Sequence, residues 1–343
     1  MELKETIKTL SAFCAPSGCE SPVSSWIMEQ VTPYCDEVHT DVMGNVIAVQ
    51  KCGRENAKRV MMDAHMDEVG LIVTGIEKGF LHFGAIGGVD ARILPATQVK
   101  VLTDPPIFGV IDTMPPHALS AEEMDKPIAM DKLTIDIGMT QEEAEAAVAL
   151  GTTVSYAVDP VEMGKYKLSG KSLDDRACDA IIMDIMKNLH GKKLDVDVYY
   201  QFSSQEEVGT RGAIPGSFSI APDYAIVMDV THAKTPDEKG LEIMDLGKGP
   251  AIGIGPNMCY AMTKSLQETA KTQDIPYQME VIPGHSGTNG WPIQISRGGV
   301  ATAIVSLPLR YMHTPHEVMD LRDAENTVRL VCAYVLKTWE VQA

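Results

Sequence analysis

The chain has 343 residues, 45% of them hydrophobic and 22% charged, and its 47 acidic against 29 basic side chains leave a formal net charge of −18. That length suits two domains with a sizeable core and the composition is that of an ordinary globular protein, neither disordered nor fibrous. The acidity repels polyanions, which excludes nucleic acid, and is read chiefly as a means of solubility; no apolar run approaches the roughly 20 residues of a membrane helix.

The chain opens with MELKETIKTLSAFCAPSG, where Leu3, Ile7, Leu10 and Phe13 recur along one helical face without a continuous apolar run, so a helix near 2–14 is expected and a secretion signal is not. A second amphipathic stretch near 22–32 leads to strands around 44–50 and 58–64, the latter running into His65 and Asp67 in RVMMDAHMDEVG. From about 70 to 164 the character changes. Short β-type runs, LIVTGI, FLHFGAI, TQVKVL and IFGVIDT, are separated by Gly and Pro, with one acidic helical segment, QEEAEAAVAL, and read as a small β-rich insert. Beyond Lys171 helix and strand alternate again. KSLDDRACDAIIMDIM puts Asp174 and Asp175 where a helix begins, YYQFSSQEEVG puts Glu206 and Glu207 after a buried strand, and YAIVMDVTHA ends a strand at Asp229. AIVSLPLRYMHTPHE places His313 just past another, and a helix near 323–340 follows. The seven cysteines are odd in number, scattered and without a CxxC pair. They read as reduced thiols of a cytoplasmic protein, which argues against a disulfide framework or a zinc-cysteine cluster.

Two adjacent carboxylates closing an apolar strand have little structural use. Successive strand residues point to opposite faces, so one of Glu206 and Glu207 can bind a metal while its neighbour takes a proton from metal-bound water. The other acids and histidines have ordinary readings one at a time: an Asp before a helix is usually an N-cap, a His near a strand end is usually hydrogen-bonded structure, and Asp229 can begin a turn. Their recurrence is the signal. Ligand-type residues that each follow or open a regular element can converge on the carboxyl edge of one sheet and hold two divalent ions.

Ten segments in order, APSGCE, DVMGNVIAV, AHMDEVG, GAIGGVD, KSLDDRAC, SQEEVGTRGA, MDVTHA, GKGPAIG, SGTNG and RYMHTPHE, make nearly the whole chain resemble the M42 metallo-aminopeptidases, which include the glutamyl and tetrahedral aminopeptidases. The resemblance implies an α/β mixed-sheet catalytic domain, residues 1–69 and 165–343, with helices on both faces. It is interrupted at 70–164 by the β-rich insert, here a dimerisation domain, and six dimers often close into a hollow tetrahedral dodecamer. Two divalent ions are implied, zinc or cobalt with manganese as an alternative: Asp174 bridges them, His65 and Asp229 complete one, and Glu207 and His313 the other. Glu206 is then general base and acid, working on a hydroxide shared by the ions, and Asp67 orients the His65 imidazole. Asp175 is assigned to a helix cap or a salt bridge with Arg176.

The substrates implied are peptides, cleaved after the N-terminal residue. Thr288 and Asn289 are expected in the pocket for that residue's side chain, and Arg310 with Tyr311 is expected to shape it or pair with carboxylates. Relatives commonly carry an acid where Asn289 stands, so its neutral amide predicts a preference for neutral or acidic first residues over Lys or Arg. His285 is read as a solvated loop histidine, His117, His232 and His316 as structural residues or supports of the ligands rather than ligands themselves, and the twenty methionines as core filler. The related M20 and M28 carboxypeptidases and deacylases share much of the constellation, but an insert beginning just after HMDEVG favours M42. A glycosidase built on Glu206 and Asp174 would leave His65 and His313 idle. An inactive binding protein has no need of the complete set of ligands and base.

Overall fold

Runs such as VIAVQ and RVMMDAH are apolar on both faces, the pattern of strands covered by helices on each side. The computed structural model, which describes residues 1–115, 117, 128–236 and 243–337, places them in a mixed sheet of 11 strands. Its strands are β1 (Glu37–Thr40), β2 (Val46–Gln50) and β3 (Arg59–His65) on one side of an insertion, and β10 (Val161–Met163) to β17 (Glu317–Asp320) on the other. Those between are β11 (Lys167–Gly170), β12 (Asp197–Ser203), β13 (Tyr224–His232), β14 (Ala251–Ile254), β15 (Gln278–Val281) and β16 (Ala301–Arg310). The order is β1-β2-β12-β3-β13-β16-β17-β11-β10, with β14 on β16 and β15 on β14. The central neighbours β12, β3, β13 and β16 are all parallel.

Alternation along these strands feeds two cores. Val46, Ala48, Val60, Met62, Ala64, Ile226 and Met228 pack under α1 (Leu3–Ala12), α2 (Ser21–Val31), α4 (Leu173–Leu189), α6 (Tyr260–Thr272) and α8 (Leu321–Val335). Ile47, Val49, Met61, Ala225 and Val227 face the other way, against α5 (Ala213–Ile220) and α7 (Gly290–Ile293). The remaining helix, α3 (Gln141–Ala147), starts in a capping box between Thr140 and Glu143. The expected closing helix is α8; residues 338–340 of the expected range lie outside the described residues. Many methionines are core, as expected, among them Met61, Met62, Met66 and Met186.

The insertion closes on itself. β4 (Gly70–Glu77), β5 (Phe80–Ile86), β6 (Gln98–Val101), β7 (Ile107–Ile111), β8 (Thr134–Asp136) and β9 (Thr153–Tyr156) form a closed barrel in the order β4-β5-β8-β7-β6-β9 around Leu71, Leu81, Val99, Ile135 and Val154. Val161–Met163, counted with the insert on sequence, pair with β11 in the large sheet instead. Among the described residues no helix is long and apolar enough to cross a membrane.

Where barrel and sheet meet, Glu68 is buried in a polar cluster. It accepts hydrogen bonds from Lys171 Nζ at 2.6 Å, Ser155 Oγ at 2.9 Å, the Ala15 amide at 2.7 Å and Ser172 Oγ, and lies 3.6 Å from Arg176 Nη2. Burial works against its charge, but Lys171 and Arg176 outweigh it and hold the carboxyl at about 2. Because the folded value is depressed, this contribution is complete above the unfolded value of 4.5 and is lost as pH falls from there toward 2. Glu68→Gln strands Lys171 as a buried, uncompensated charge and should cost about 3–5 kcal/mol at pH 7, with the gap to wild type narrowing below pH 4.5. Urea midpoints at the two pH values measure this; equal midpoints at pH 7 would deny the cluster a stabilising role.

Candidate active site

Parallel strands end on the same edge, and the chain places its acids and histidines there. β3 ends at His65, β12 is followed by Glu206 and Glu207, β13 carries Asp229, β16 is followed by His313, and Asp174 lies at the start of α4. Ser203 stands opposite His65 in the register of β12 and β3, which brings the Glu206–Glu207 turn over the end of β3. His65, Asp174, Glu206, Glu207, Asp229 and His313 line one cavity of ≈ 240 Å³. The expected ligands and base are thus brought together.

Asp174 occupies the centre. Its Oδ1 is 3.2 Å from His65 Nε2 and its Oδ2 is 3.3 Å from His313 Nε2, which in turn is 3.3 Å from Glu207 Oε2. Each imidazole is held from behind. His65 Nδ1 lies 3.2 Å from the Asp67 carbonyl and 3.4 Å from its carboxylate, and His313 Nδ1 lies 3.1 Å from the Gly88 carbonyl of the loop after β5, so both rings turn Nε2 inward. Asp67 also accepts the amides of Glu206 at 2.9 Å and Glu207 at 3.1 Å, and is braced by Ser17 Oγ at 2.5 Å. It fixes the carboxylate pair as well as the histidine it was expected to orient.

Buried carboxyls without cations raise one another. Burial first, then the charges of Asp67 and Asp174, push Glu206 up to about 7. Burial and Asp174 push Glu207 well up, and Asp229 is likewise raised. Burial opposes ionisation of Asp174 too, but hydrogen bonds to His313 and His65 hold it below the ordinary range. Both imidazoles are raised, burial notwithstanding, by these carboxylates. Among the described residues no Lys or Arg forms an ion pair with Glu206, Glu207 or Asp229. Donor atoms of His65, Asp174 and Glu207 lie within 4.8 Å of one another, as do those of His65, Asp175 and Asp229. Carboxylate and imidazole donors crowded in a buried, acidic pocket fit divalent transition ions.

A model of the family described as M42 glutamyl aminopeptidase matches residues 44–330. The chain belongs to the M42 peptidase family. It is 37% identical over 335 residues to a lysyl aminopeptidase of Pyrococcus furiosus, covering 96% of this chain and 95% of that one. Its fold is similar to an aminopeptidase from the archaeon Desulfurococcus kamchatkensis, with a TM-score of 0.91 at 36% identity over 97% and 94% of the two chains. It is also similar to the TET1 peptidase of Pyrococcus horikoshii, a protein described as assembling into a tetrahedron or a large octahedral shell, with a TM-score of 0.86 at 28% identity over 98% and 100%. This M42 protein is therefore a peptidase, a hydrolase of peptide bonds.

Several assignments made on the M42 resemblance need correction. Thr288 lines the cavity, but Asn289 does not: it is 1% exposed and its amide donates to Asp63 Oδ2 at 2.8 Å and Ser203 Oγ at 3.0 Å, beneath the site. Asp63, pushed up to about 6 by burial against three donors, needs that neutral amide as a partner. Arg310 is also outside the cavity, because its Nε donates to the Lys234 carbonyl at 2.7 Å. Arg176 does not pair with Asp175; it serves Glu68 and the carbonyls of Met66, Phe13 and Ala15. Asp175 is fully buried behind His65, accepting its amide at 3.3 Å. Of the histidines kept out of the ligand set, His232 lines the cavity from an exposed position, while His117, His285 and His316 are exposed outside it, His285 against Trp291. Tyr311 and His316 border a separate hollow of ≈ 980 Å³ that holds none of the acid-histidine cluster.

Three contributors to this M42 site escaped sequence reasoning. Glu317 accepts the amides of Asp174 at 3.1 Å and His313 at 2.9 Å and so ties the two together. The Gly87–Gly88 pair admits Glu207 and His313, since a Cβ on Gly88 would lie 2.8 Å from His313 Nδ1. Glu280, on β15, reaches the cavity wall. RYMHTPHE and GAIGGVD contain the first two, but only long-range packing gives them these partners.

Proposed function

We propose that this peptidase is a dinuclear-metal aminopeptidase, on one observation above others: the two oxygens of Asp174 face the Nε2 atoms of two different histidines at 3.2 and 3.3 Å. Asp174 would be shared by both ions, with His65 and Asp229 on one and Glu207 and His313 on the other. Asp174 is preferred to Asp175 as the shared ligand because Asp174 lines the cavity and Asp175 does not. Two divalent ions, zinc or cobalt foremost and manganese as an alternative, would acidify water and polarise the scissile carbonyl when bound. Glu206 takes the proton of the attacking water and returns it to the leaving amine, its backbone fixed by Asp67. The acidic lining draws the free α-amine. A cavity of ≈ 240 Å³ is smaller than the roughly 300–1,000 Å³ of pockets for drug-sized ligands and suits one residue, not a length of chain.

The barrel is proposed as the dimerisation domain. Phe80 on β5 and Phe108 and Val110 on β7 are exposed apolar side chains suited to a second copy, and the TET1 neighbour supports a larger homo-oligomer. The cytoplasm remains the proposed compartment, supported by seven free cysteines. A glycosidase is disfavoured because both Asp174 oxygens are engaged by imidazoles.

The test is hydrolysis of aminoacyl-anilides by protein stripped with a chelator and reloaded with zinc, cobalt or manganese. Up to two ions per chain should bind, activity should vanish and return with them, and N-acetylated substrates should resist. Full activity after verified metal removal would sink the mechanism, and equal rates on blocked substrates would indicate a deacylase or endopeptidase.

A further inference from the structure

The family model carries a glutamyl name and the Pyrococcus furiosus relative a lysyl one, so the first residue preferred by this chain has to be read from its own cavity. Six of its acid and histidine side chains are committed as ligands or base in the reading above. One carboxylate in the lining is not. Glu280 projects from β15, and each of its oxygens is fixed by a neutral hydroxyl: Oε1 accepts from Thr231 Oγ1 at 2.5 Å and Oε2 from Ser306 Oγ at 2.6 Å.

Both hydroxyls are rigidly placed. Thr231 and Ser306 are buried, Ser306 stands opposite Asp229 in the register of β13 and β16, and Thr231 follows Asp229 by two residues on the same face of β13. Glu280 is therefore held beside the Asp229 end of the site. Each carboxylate oxygen has two acceptor sites, so one hydroxyl apiece leaves capacity for a further donor. Among the described residues it forms no ion pair, and no Lys or Arg lines the cavity. A carboxylate braced this way, facing a cavity with no Lys or Arg in its lining, can receive a cation.

We propose that Glu280 selects peptides with a basic first residue, lysine foremost, by receiving the side-chain ammonium at the cavity wall. This rests on the aminopeptidase reading and deepens it. It also replaces the neutral-or-acidic preference drawn from Asn289, whose amide is turned away from substrate toward Asp63.

The experiment compares kcat/KM for lysine and norleucine p-nitroanilides, which share an aliphatic stem and differ in the ammonium, using metal-loaded full-length protein. The lysine-to-norleucine ratio should exceed about 10, and Glu280→Gln, which keeps the side chain's size, should lower it by about 10- to 100-fold, the scale of one hydrogen bond to a charged group. Glu280→Asp, which keeps the charge, should retain a ratio above that of Glu280→Gln. Should the variants not fold, free lysine must inhibit wild-type hydrolysis of norleucine p-nitroanilide more tightly than free norleucine does, because only lysine brings an ammonium to Glu280. A wild-type ratio at or below one, a ratio unmoved in folded Glu280→Gln, or equal inhibition by lysine and norleucine when the variants do not fold overturns the assignment. Failure of the wild type on both anilides overturns the aminopeptidase reading itself, so the two failures are told apart.

Discussion

Glu206→Gln should retain its metal and lose about 10²–10⁴-fold in kcat, the usual scale for a missing general acid-base. The side chain is buried at the cavity, and its amide nitrogen is pinned to Asp67 Oδ1 at 2.9 Å, so the backbone holds the replacement where the acid stood. Glutamine has the shape of glutamate but cannot carry a proton from water to the leaving amine. The proposed ligands are untouched. Metal content by mass spectrometry and single-substrate kinetics on the same preparation separate chemistry from binding, and a nearly fully active variant would move the base to another group.

Asp174→Ala is expected to go further and remove both ions together with measurable activity. Among the described residues Asp174 alone pairs with both His65 and His313, and without it His65 keeps only Asp67 and His313 only Glu207. The decisive measurement is metal stoichiometry after equilibrium dialysis, with a melting curve to show that the variant is folded. Two ions still bound at wild-type affinity would refute a shared ligand at this position.

Much of the site was legible because its chemistry follows strand ends. His65, Glu206, Glu207, Asp229 and His313 each lie at or beyond the carboxyl end of an apolar run, and parallel pairing of β12, β3, β13 and β16 carries those ends to one edge. What a linear pattern lacks is the direction of a side chain in a loop. Asn289 belongs to a recognisable segment, but it points into the sheet at Asp63, and Arg310 turns to a carbonyl on a neighbouring segment. Ion-pair partners were hidden for the same reason: Arg176 sits beside Asp175 in sequence and serves Glu68, 108 positions away. Glu280 lies in no chemical motif, and its place depends on β15 joining the sheet through β14. The fold was read more easily than the pocket, since burial periodicity reports which face is covered and not what a loop residue touches.

The strand order also has a consequence for how the chain is made. Every barrel ladder joins strands within residues 70–156, so the barrel can close as soon as that stretch has left the ribosome. β3 has no such local partner. Its neighbours are β12 and β13, which begin about 130 and about 160 residues after β3 ends, and pairing across that separation is intrinsically slow. His65 and Asp67 are thus translated early and wait, while Asp174, the Glu206–Glu207 pair, Asp229 and finally His313 arrive in turn. A nascent chain halted after the barrel would hold a finished β fold and only the first fragment of a catalyst.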